Sequence, residues 1–228
     1  MISNKDVRSI IRNSLGLEGK EHLDEALVAQ LKTYDIKTEF LSGKNKQAHK
    51  ELYEGYVTNF NKISAELDTA DRESANSNHS QFRSLKIDET YNMNALYLHE
   101  LYFANIGDLQ SNITMDSLAY MRLSRDFGNF DKWQQDFMAC CMSSRCGWAI
   151  TYYNLFTQTY MNAVVDLHSI EVPIGCFPVV VMDVWQHAYY KDYLRDVKTY
   201  TTAMMKELNW SVIEDRIKKA ERLAQVLK

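Results

Sequence analysis

The chain has 228 residues, 46% of them hydrophobic, so it can bury one sizeable core or two small ones. The formal net charge is −4, so the surface as a whole is not basic and does not attract nucleic acid. The N-terminus carries charge where a signal peptide needs an apolar core, so no signal peptide is expected, and no apolar run is long enough to predict a membrane span. The four cysteines show no CxxC spacing, which is typical of reduced thiols. These features predict a soluble cytoplasmic protein with neither a nucleic-acid nor a membrane partner.

The first forty residues are predicted to form a helical extension. Two short amphipathic helices are expected, Lys5–Leu15 and His22–Tyr34, the second with leucines spaced four residues apart. We interpret residues 1–40 as a segment appended to the main fold.

Residues 41–109 are predicted to form a helical hairpin domain. Apolar and aromatic residues recur every three or four positions from Lys44 to Leu67, and a second long helix is expected from Asp88 to Ala104. The polar stretch TADRESANSNHS (69–80) between them predicts a loop. Helices joined by a loop of this length usually pack antiparallel.

Residues 110–228 are predicted to form an α/β metal-binding domain. Two helices come first, Met115–Phe127 and one that begins after Asn129. Three runs rich in β-branched and aromatic residues then predict an antiparallel meander, namely GWAITYYNLF (147–156), TYMNAVVDLH (159–168) and CFPVVVMDV (176–184). Helical patterns return from Trp185 to the end. Helices, a small sheet and more helices, in that order, predict an α+β fold.

Three of the six histidines, His49, His99 and His187, lie in apolar or aromatic segments. A buried imidazole needs a hydrogen bond or a metal, and a single histidine of this kind is most often a hydrogen-bonded core residue. Asp183 changes this expectation, because it ends an apolar run four residues before His187. Three imidazoles and one carboxylate suit iron, manganese or zinc. The pattern therefore predicts one metal site, for which redox chemistry is possible.

Tyrosines accompany two of these histidines on the predicted hairpin. His49, Tyr53 and Tyr56 lie at i, i+4 and i+7, while His99 and Tyr102 lie at i and i+3. Histidines on two arms of a hairpin can converge on one ion. Ordinary packing explains the tyrosines equally well, although a phenol beside a metal can also bind its solvent ligand or guard its entry.

Several segments resemble the iron/manganese superoxide dismutase family. The most specific is DVWQHAYYKDY (183–193), which closely matches the family signature DVWEHAYY. Four shorter segments are similar to family motifs in the same order: YVTNFNKI (56–63), FGNFDKWQQDF (127–137), CGW (146–148) and LNW (208–210). The resemblance covers about residues 41–215 and leaves residues 1–40 outside.

This resemblance implies that His49, His99, Asp183 and His187 bind one iron or manganese ion per chain. Counted back from the YVTN segment, the first ligand of the family would fall on Ala48. Assigning it to His49 therefore implies a one-residue deletion between this ligand and the tyrosine that follows.

The resemblance also implies roles for residues around the ion. Tyr56 would stand at the entrance, and Trp148 and Trp185 would form walls of the site. His168 lies where family members carry a glutamine or histidine that hydrogen-bonds solvent at the metal, while the alternative donor position is Ala95. The implied activity converts superoxide to O₂ and H₂O₂ by alternating reduction and oxidation of the ion, with His168 tuning its potential.

At the subunit interface of the family the sequence differs. Gln186 replaces a glutamate that pairs with a ligand histidine of the other subunit, and Leu52 or Tyr53 replaces a histidine that meets a tyrosine, although Tyr190 is kept. We treat Gln186, Tyr190 and Tyr53 as interface candidates. The resemblance implies a homodimer or tetramer, with residues 1–40 available for a larger assembly.

Two alternatives to an active dismutase remain open at this point. One is a superoxide-dismutase-like structural or assembly protein of a larger complex, with reduced or no activity. The other is a zinc protein that uses the same ligands for hydrolysis.

Overall fold

The computed structural model of the chain describes residues 27–107 and 111–226. Within these ranges four helices come first: α1 (Gly43–Asp68), α2 (Gln81–Asn105), α3 (Leu118–Phe127) and α4 (Phe130–Ser143). Three strands follow: β1 (Gly147–Asn154), β2 (Thr159–Asp166) and β3 (Cys176–Asp183). The last three helices are α5 (Gln186–Tyr193), α6 (Val197–Lys206) and α7 (Trp210–Val226). This confirms the predicted α+β class. None of the helices in the described ranges is long and apolar enough to cross a membrane.

By the packing of its backbone the chain divides into two compact units, with boundaries within the two long helices and between Lys32 and Thr33. The first unit comprises Met1–Lys32 and Lys50–Tyr97, and the second comprises Thr33–His49 and Leu98–Lys228. The division predicted between residues 109 and 110 falls beside positions that the structure does not describe.

In the first unit, α1 and α2 bury apolar side chains such as Phe60 and Leu96. A hydrogen bond between Tyr56 and Tyr91 joins the two helices. Helix α2 begins seven residues earlier than predicted, because the Ser80 hydroxyl accepts the Arg83 N–H at 3.2 Å and caps its N-terminus.

The described part of the N-terminal segment is not helical. Residues 27–40 contain no helix, so the predicted helix His22–Tyr34 does not continue through its second half; Lys5–Leu15 lies outside the described residues. Within the first unit, the Asn61 amide accepts the Ala29 N–H at 2.7 Å and donates to the Ala29 carbonyl at 2.9 Å. The Asn61 side chain of α1 thus satisfies backbone groups of Ala29 that a helix would use. The interpretation of residues 1–40 as an appended segment stays a prediction.

The sheet has the strand order β2-β1-β3, so the predicted meander is wrong. Strand β1 is buried almost throughout and pairs antiparallel with both neighbours, whereas β2 is half exposed and occupies an edge. Gly147 allows the close approach of β2, since a Cβ there would lie 2.0 Å from the Val165 carbonyl oxygen. In the pairing of β1 with β3, Trp148 lies opposite Asp183.

An irregularity in the β1–β3 pairing is held by a buried arginine of α7. The register skips Val179, and the Val179 carbonyl instead accepts a hydrogen bond from Arg216 at 3.0 Å. Arg216 also donates to the Leu101 carbonyl at 2.8 Å and to the Asn105 side chain. Asn105 in turn donates to the Val181 carbonyl at 2.7 Å. One side-chain cluster therefore ties α2, β3 and α7 together.

The remaining helices begin at side-chain caps except for α5, whose N-cap residue Trp185 makes no side-chain cap hydrogen bond. Asn129 accepts the Lys132 N–H at 2.8 Å, as a helix that begins after Asn129 requires. Ser117 caps α3, which therefore begins at Leu118 and not at Met115. The C-terminal helical region is divided into three helices. Helix α5 ends at Tyr193, because the φ of 51° at the next residue, Leu194, interrupts the helix. Asp196 then caps α6.

Candidate metal site

Four side chains of the second unit converge at its centre, and each comes from a different element. His49 lies on α1, His99 on α2, Asp183 at the end of β3 and His187 in the first turn of α5. Asp183 and His187 approach from one corner because β3 passes directly into α5. His49 is buried, whereas the neighbouring Ala48 is only half-buried, so the structure brings the histidine and not the alanine to this point.

The three imidazoles surround one carboxylate oxygen. The Nε2 atoms of His49 and His187 each lie 3.2 Å from Asp183 Oδ2, and that of His99 lies 3.7 Å from it. All four possible ligand atoms lie within 4.8 Å of one another. Two ligands about 2.1 Å from a common ion, at angles of about 90–120°, are about 3.0–3.6 Å apart. The arrangement therefore has the dimensions of a mononuclear metal site.

The charges of these groups also call for a cation. Burial would raise the pKa of Asp183, but the imidazoles of His187 and His49 lower it well below its usual value, so the group is a carboxylate. Burial lowers the pKa of His49 and favours a neutral ring there. Among the described residues, histidines are the ion-pair partners of Asp183. A buried carboxylate surrounded by imidazole nitrogens is stabilised when a metal ion binds, so this donor set fits iron or manganese.

Two hydrogen bonds fix the orientation of Asp183. Its Oδ1 accepts the Trp185 N–H at 2.9 Å, which leaves Oδ2 facing the imidazoles. Its carbonyl accepts the Tyr200 hydroxyl at 2.8 Å, and the hydroxyls of Tyr200 and Tyr102 lie 3.0 Å apart. Tyr102 was noticeable from its spacing to His99, whereas Tyr200 is one aromatic residue in a helical stretch and has no local signal in the sequence.

Aromatic rings and His168 surround the four donors. The rings of His99 and Trp148 pack edge to face with centroids 5.0 Å apart, and Trp185 stacks on His168 at 5.0 Å and on His187 at 5.7 Å. Trp148 Nε1 donates to His168 Nδ1 at 3.0 Å. Because Nδ1 accepts this bond, a neutral His168 carries its proton on Nε2 and can donate from that atom.

The buried His168 predicts an acid-dependent loss of stability. Burial lowers its pKa to about 4, so between about pH 6.5 and 4 the unfolded chain binds a proton that the folded chain does not. For the metal-free protein, we expect this group to remove up to about 3 kcal/mol of the free energy of unfolding as the pH falls through that range. Urea unfolding at pH 7.5 and 4.5 measures the loss. The His168→Gln variant should lack this contribution, and an equal loss in both proteins would contradict the prediction.

The remaining candidates, Tyr56, Gln186, Tyr190 and Tyr53, are not among the four converging donors. Tyr56 belongs to the first unit, and its role at the entrance stays a prediction. Gln186 is exposed and accepts a hydrogen bond from the Cys146 thiol at 3.3 Å, and Tyr190 is half exposed. Tyr53 is only 2% exposed, and its hydroxyl accepts the Lys32 N–H at 3.2 Å. Its burial within its own chain does not favour an interface role.

Known proteins match most of this chain. The profile of the iron/manganese superoxide dismutases, C-terminal domain, matches residues 116–216. Superoxide dismutase [Fe] of Aquifex pyrophilus is 33% identical over 93% of this chain and 96% of its own length. Superoxide dismutase [Mn] 1 of Halobacterium salinarum and superoxide dismutase [Fe] of Cupriavidus metallidurans are each 29% identical, over 75% of this chain and 84% of their own lengths.

The Aquifex pyrophilus match also bears on the N-terminal segment. A match over 93% of 228 residues leaves about 16 residues unmatched, so it includes part of residues 1–40. Together with the four converging donors, the extent of this match settles the classification. The chain belongs to the iron/manganese superoxide dismutase family.

Proposed function

We propose that this protein is a superoxide dismutase that binds one iron or manganese ion through His49, His99, Asp183 and His187. The observation that carries the proposal is the convergence of three imidazole Nε2 atoms, two of them from buried rings and the third from the partly exposed His187, on one buried carboxylate oxygen. When bound, the ion supplies one-electron chemistry that takes an electron from one superoxide, releasing O₂, and gives it to a second, which takes up two protons to form H₂O₂.

The residues around the four donors orient Asp183, exclude water and offer a hydrogen bond to an oxygen at the site. The hydrogen bond from Trp185 N–H orients Asp183, and the buried Trp148 ring packs against His99 and excludes water from that side. His168 offers the Nε2 proton to an oxygen of solvent or substrate at the site, and Trp148 keeps the proton on that atom. We propose that Tyr56 guards the entrance.

The hydrogen bond from Trp148 can be tested separately from the metal ligands. Trp148→Phe keeps an aromatic ring but removes the donor to His168 Nδ1, so we expect about a 10–100-fold loss of dismutase activity at unchanged metal content. Trp133→Phe is the matched control, because Trp133 is also buried and donates to the Thr151 hydroxyl at 3.0 Å. Equal activity losses in the two variants, measured per bound metal, would refute the proposed role of Trp148.

His168 is proposed to adjust the preference between iron and manganese. A glutamine donor differs from imidazole in reach and acidity, so His168→Gln should change the ratio of iron-supported to manganese-supported activity about tenfold. The assay compares wild type and variant after each is loaded to the same content with each metal. An unchanged ratio would remove His168 from this role.

The two alternatives receive less support. The relatives described above are all named superoxide dismutases with iron or manganese, which favours an enzyme over a scaffold and these metals over zinc. The four donors that a scaffold would have no need to keep are all present and converge, three of them buried and His187 partly exposed.

We further propose a homodimer or tetramer in the cytoplasm. Tyr190 and Leu194 expose 50% and 65% of their surfaces on and just beyond α5, close to Gln186, and would suit a contact between subunits. All four cysteines are free, which fits a reducing compartment. Light scattering of the purified protein would test the oligomer.

A further inference from the structure

Among the described residues, none gives the ring of His49 the hydrogen bond that usually orients a metal-binding histidine. Such histidines typically donate their second ring nitrogen to a carboxylate, a carbonyl or water, which fixes the ring. His49 Nδ1 is buried, and no group in the described ranges pairs with it. Ring packing against Tyr102 and Phe103, with centroids 5.3 and 5.0 Å away, restrains His49 instead. Its position therefore depends on where α1 is held.

Asn45 holds this end of α1 against the helix that carries His187. It lies one turn before His49 on the same face of α1 and is fully buried. Its Nδ2 donates to the carbonyl of Ala188, the residue after His187, at 3.1 Å. The same nitrogen donates to Asp192 Oδ2, also at 3.1 Å. One amide group thus links the two helices at the level of two metal ligands.

The surrounding hydrogen bonds reinforce this link. Asp192 Oδ2 also accepts the Ser42 N–H at 2.9 Å, and the Ser42 hydroxyl accepts the Asn45 N–H at 3.2 Å. Asn45 Oδ1, by contrast, is buried and has no hydrogen-bond partner within the part of the chain that the structure describes. The amide is therefore used as a donor, and its buried acceptor is tolerated despite the cost of an unsatisfied polar atom.

We infer that Asn45 is a positioning residue, which sets His49 at the correct distance from His187 and thereby controls how tightly the ion is held. The inference rests on the proposed metal-binding function. In other metal sites a hydrogen bond to the second ring nitrogen fixes the histidine. Here Asn45 fixes the position of His49 instead, through the backbone of α1.

The test compares metal release from two asparagine variants of the same helix. Loaded Asn45→Ala protein should lose its ion to excess EDTA about 10–100 times faster than wild type. The electron paramagnetic resonance spectrum of its ferric form should also change, because the His49 ligand moves. Asn61→Ala is the control, since Asn61 also makes two hydrogen bonds to backbone but lies more than four turns further along α1 than Asn45.

Asn45→Asp provides a second, independent variant of nearly the same size. It replaces the donor to the Ala188 carbonyl and to Asp192 by a carboxylate, so it should release metal at least as fast as Asn45→Ala. Adding Asp192→Asn returns a donor to the 45–192 pair but not to the Ala188 carbonyl, so it should recover only part of the retention. Unchanged release and spectrum in Asn45→Ala, or wild-type retention in Asn45→Asp, would overturn the role of Asn45. A wild-type protein that takes up neither iron nor manganese would instead refute the proposed function itself.

Discussion

Asp183→Asn is expected to abolish metal binding and activity while leaving the fold intact. The amide is the same size as the carboxylate, and its oxygen can still accept the Trp185 N–H. It removes the one anionic donor among the four, so the ion loses both a bond and its charge balance. We expect less than about a tenth of the wild-type metal content and more than about a 1000-fold loss of dismutase activity.

Metal content by elemental analysis, activity and circular dichroism together measure this effect. Asp215→Asn is the matched control, because Asp215 is 64% exposed and pairs with a surface lysine at 3.4 Å. If Asp183→Asn retained a full complement of tightly bound metal, Asp183 would not be a ligand. Loss of the fold in both variants would likewise count against the assignment.

Arg216→Met is expected to give the largest loss of stability away from the metal site. Arg216 is buried, and although burial lowers its pKa to about 10, the guanidinium stays protonated at neutral pH. Methionine can fill much of its volume but leaves the Val179 and Leu101 carbonyls without their donor. We expect the free energy of unfolding to fall by about 4 kcal/mol, since charged hydrogen bonds contribute about 1.5–3 kcal/mol each and recovered desolvation offsets part of the loss.

Urea unfolding of metal-free wild type and variant measures this difference. Arg222→Met on the same helix is the control, because Arg222 is exposed and should change stability by less than about 0.5 kcal/mol. A loss below about 1 kcal/mol for Arg216→Met would show that the cluster around Val179 contributes little.

Local chemistry made some of the fold and site predictable from the sequence. The Asn129 cap and the three strand segments follow from signals within a few residues. The strand order could not be predicted in this way, because it depends on the burial of both edges of β1, which no single segment reveals. For residues 27–40, leucine spacing favoured a helix, but partners such as Asn61 lie far along the chain and satisfy its backbone instead.

The candidate site shows the same division. His99, Asp183 and His187 could be proposed from residue type and context, and His49 could be proposed despite its altered spacing to Tyr56. The supporting groups could not be proposed from the sequence, because each hydrogen bond joins residues far apart in the chain. Tyr200 donates to the Asp183 carbonyl, and Asn45 donates to the Ala188 carbonyl. Hydrogen bonds of this kind leave no periodic or local pattern in a single sequence.

Elemental analysis of the purified wild-type protein, paired with a superoxide assay on the same sample, tests the central claim most directly. We predict about one iron or manganese ion per chain, and dismutase activity that disappears on metal removal and returns on reconstitution. Protein that remains free of both metals after expression in metal-supplemented medium and reconstitution, or metal-loaded protein without activity, would contradict it.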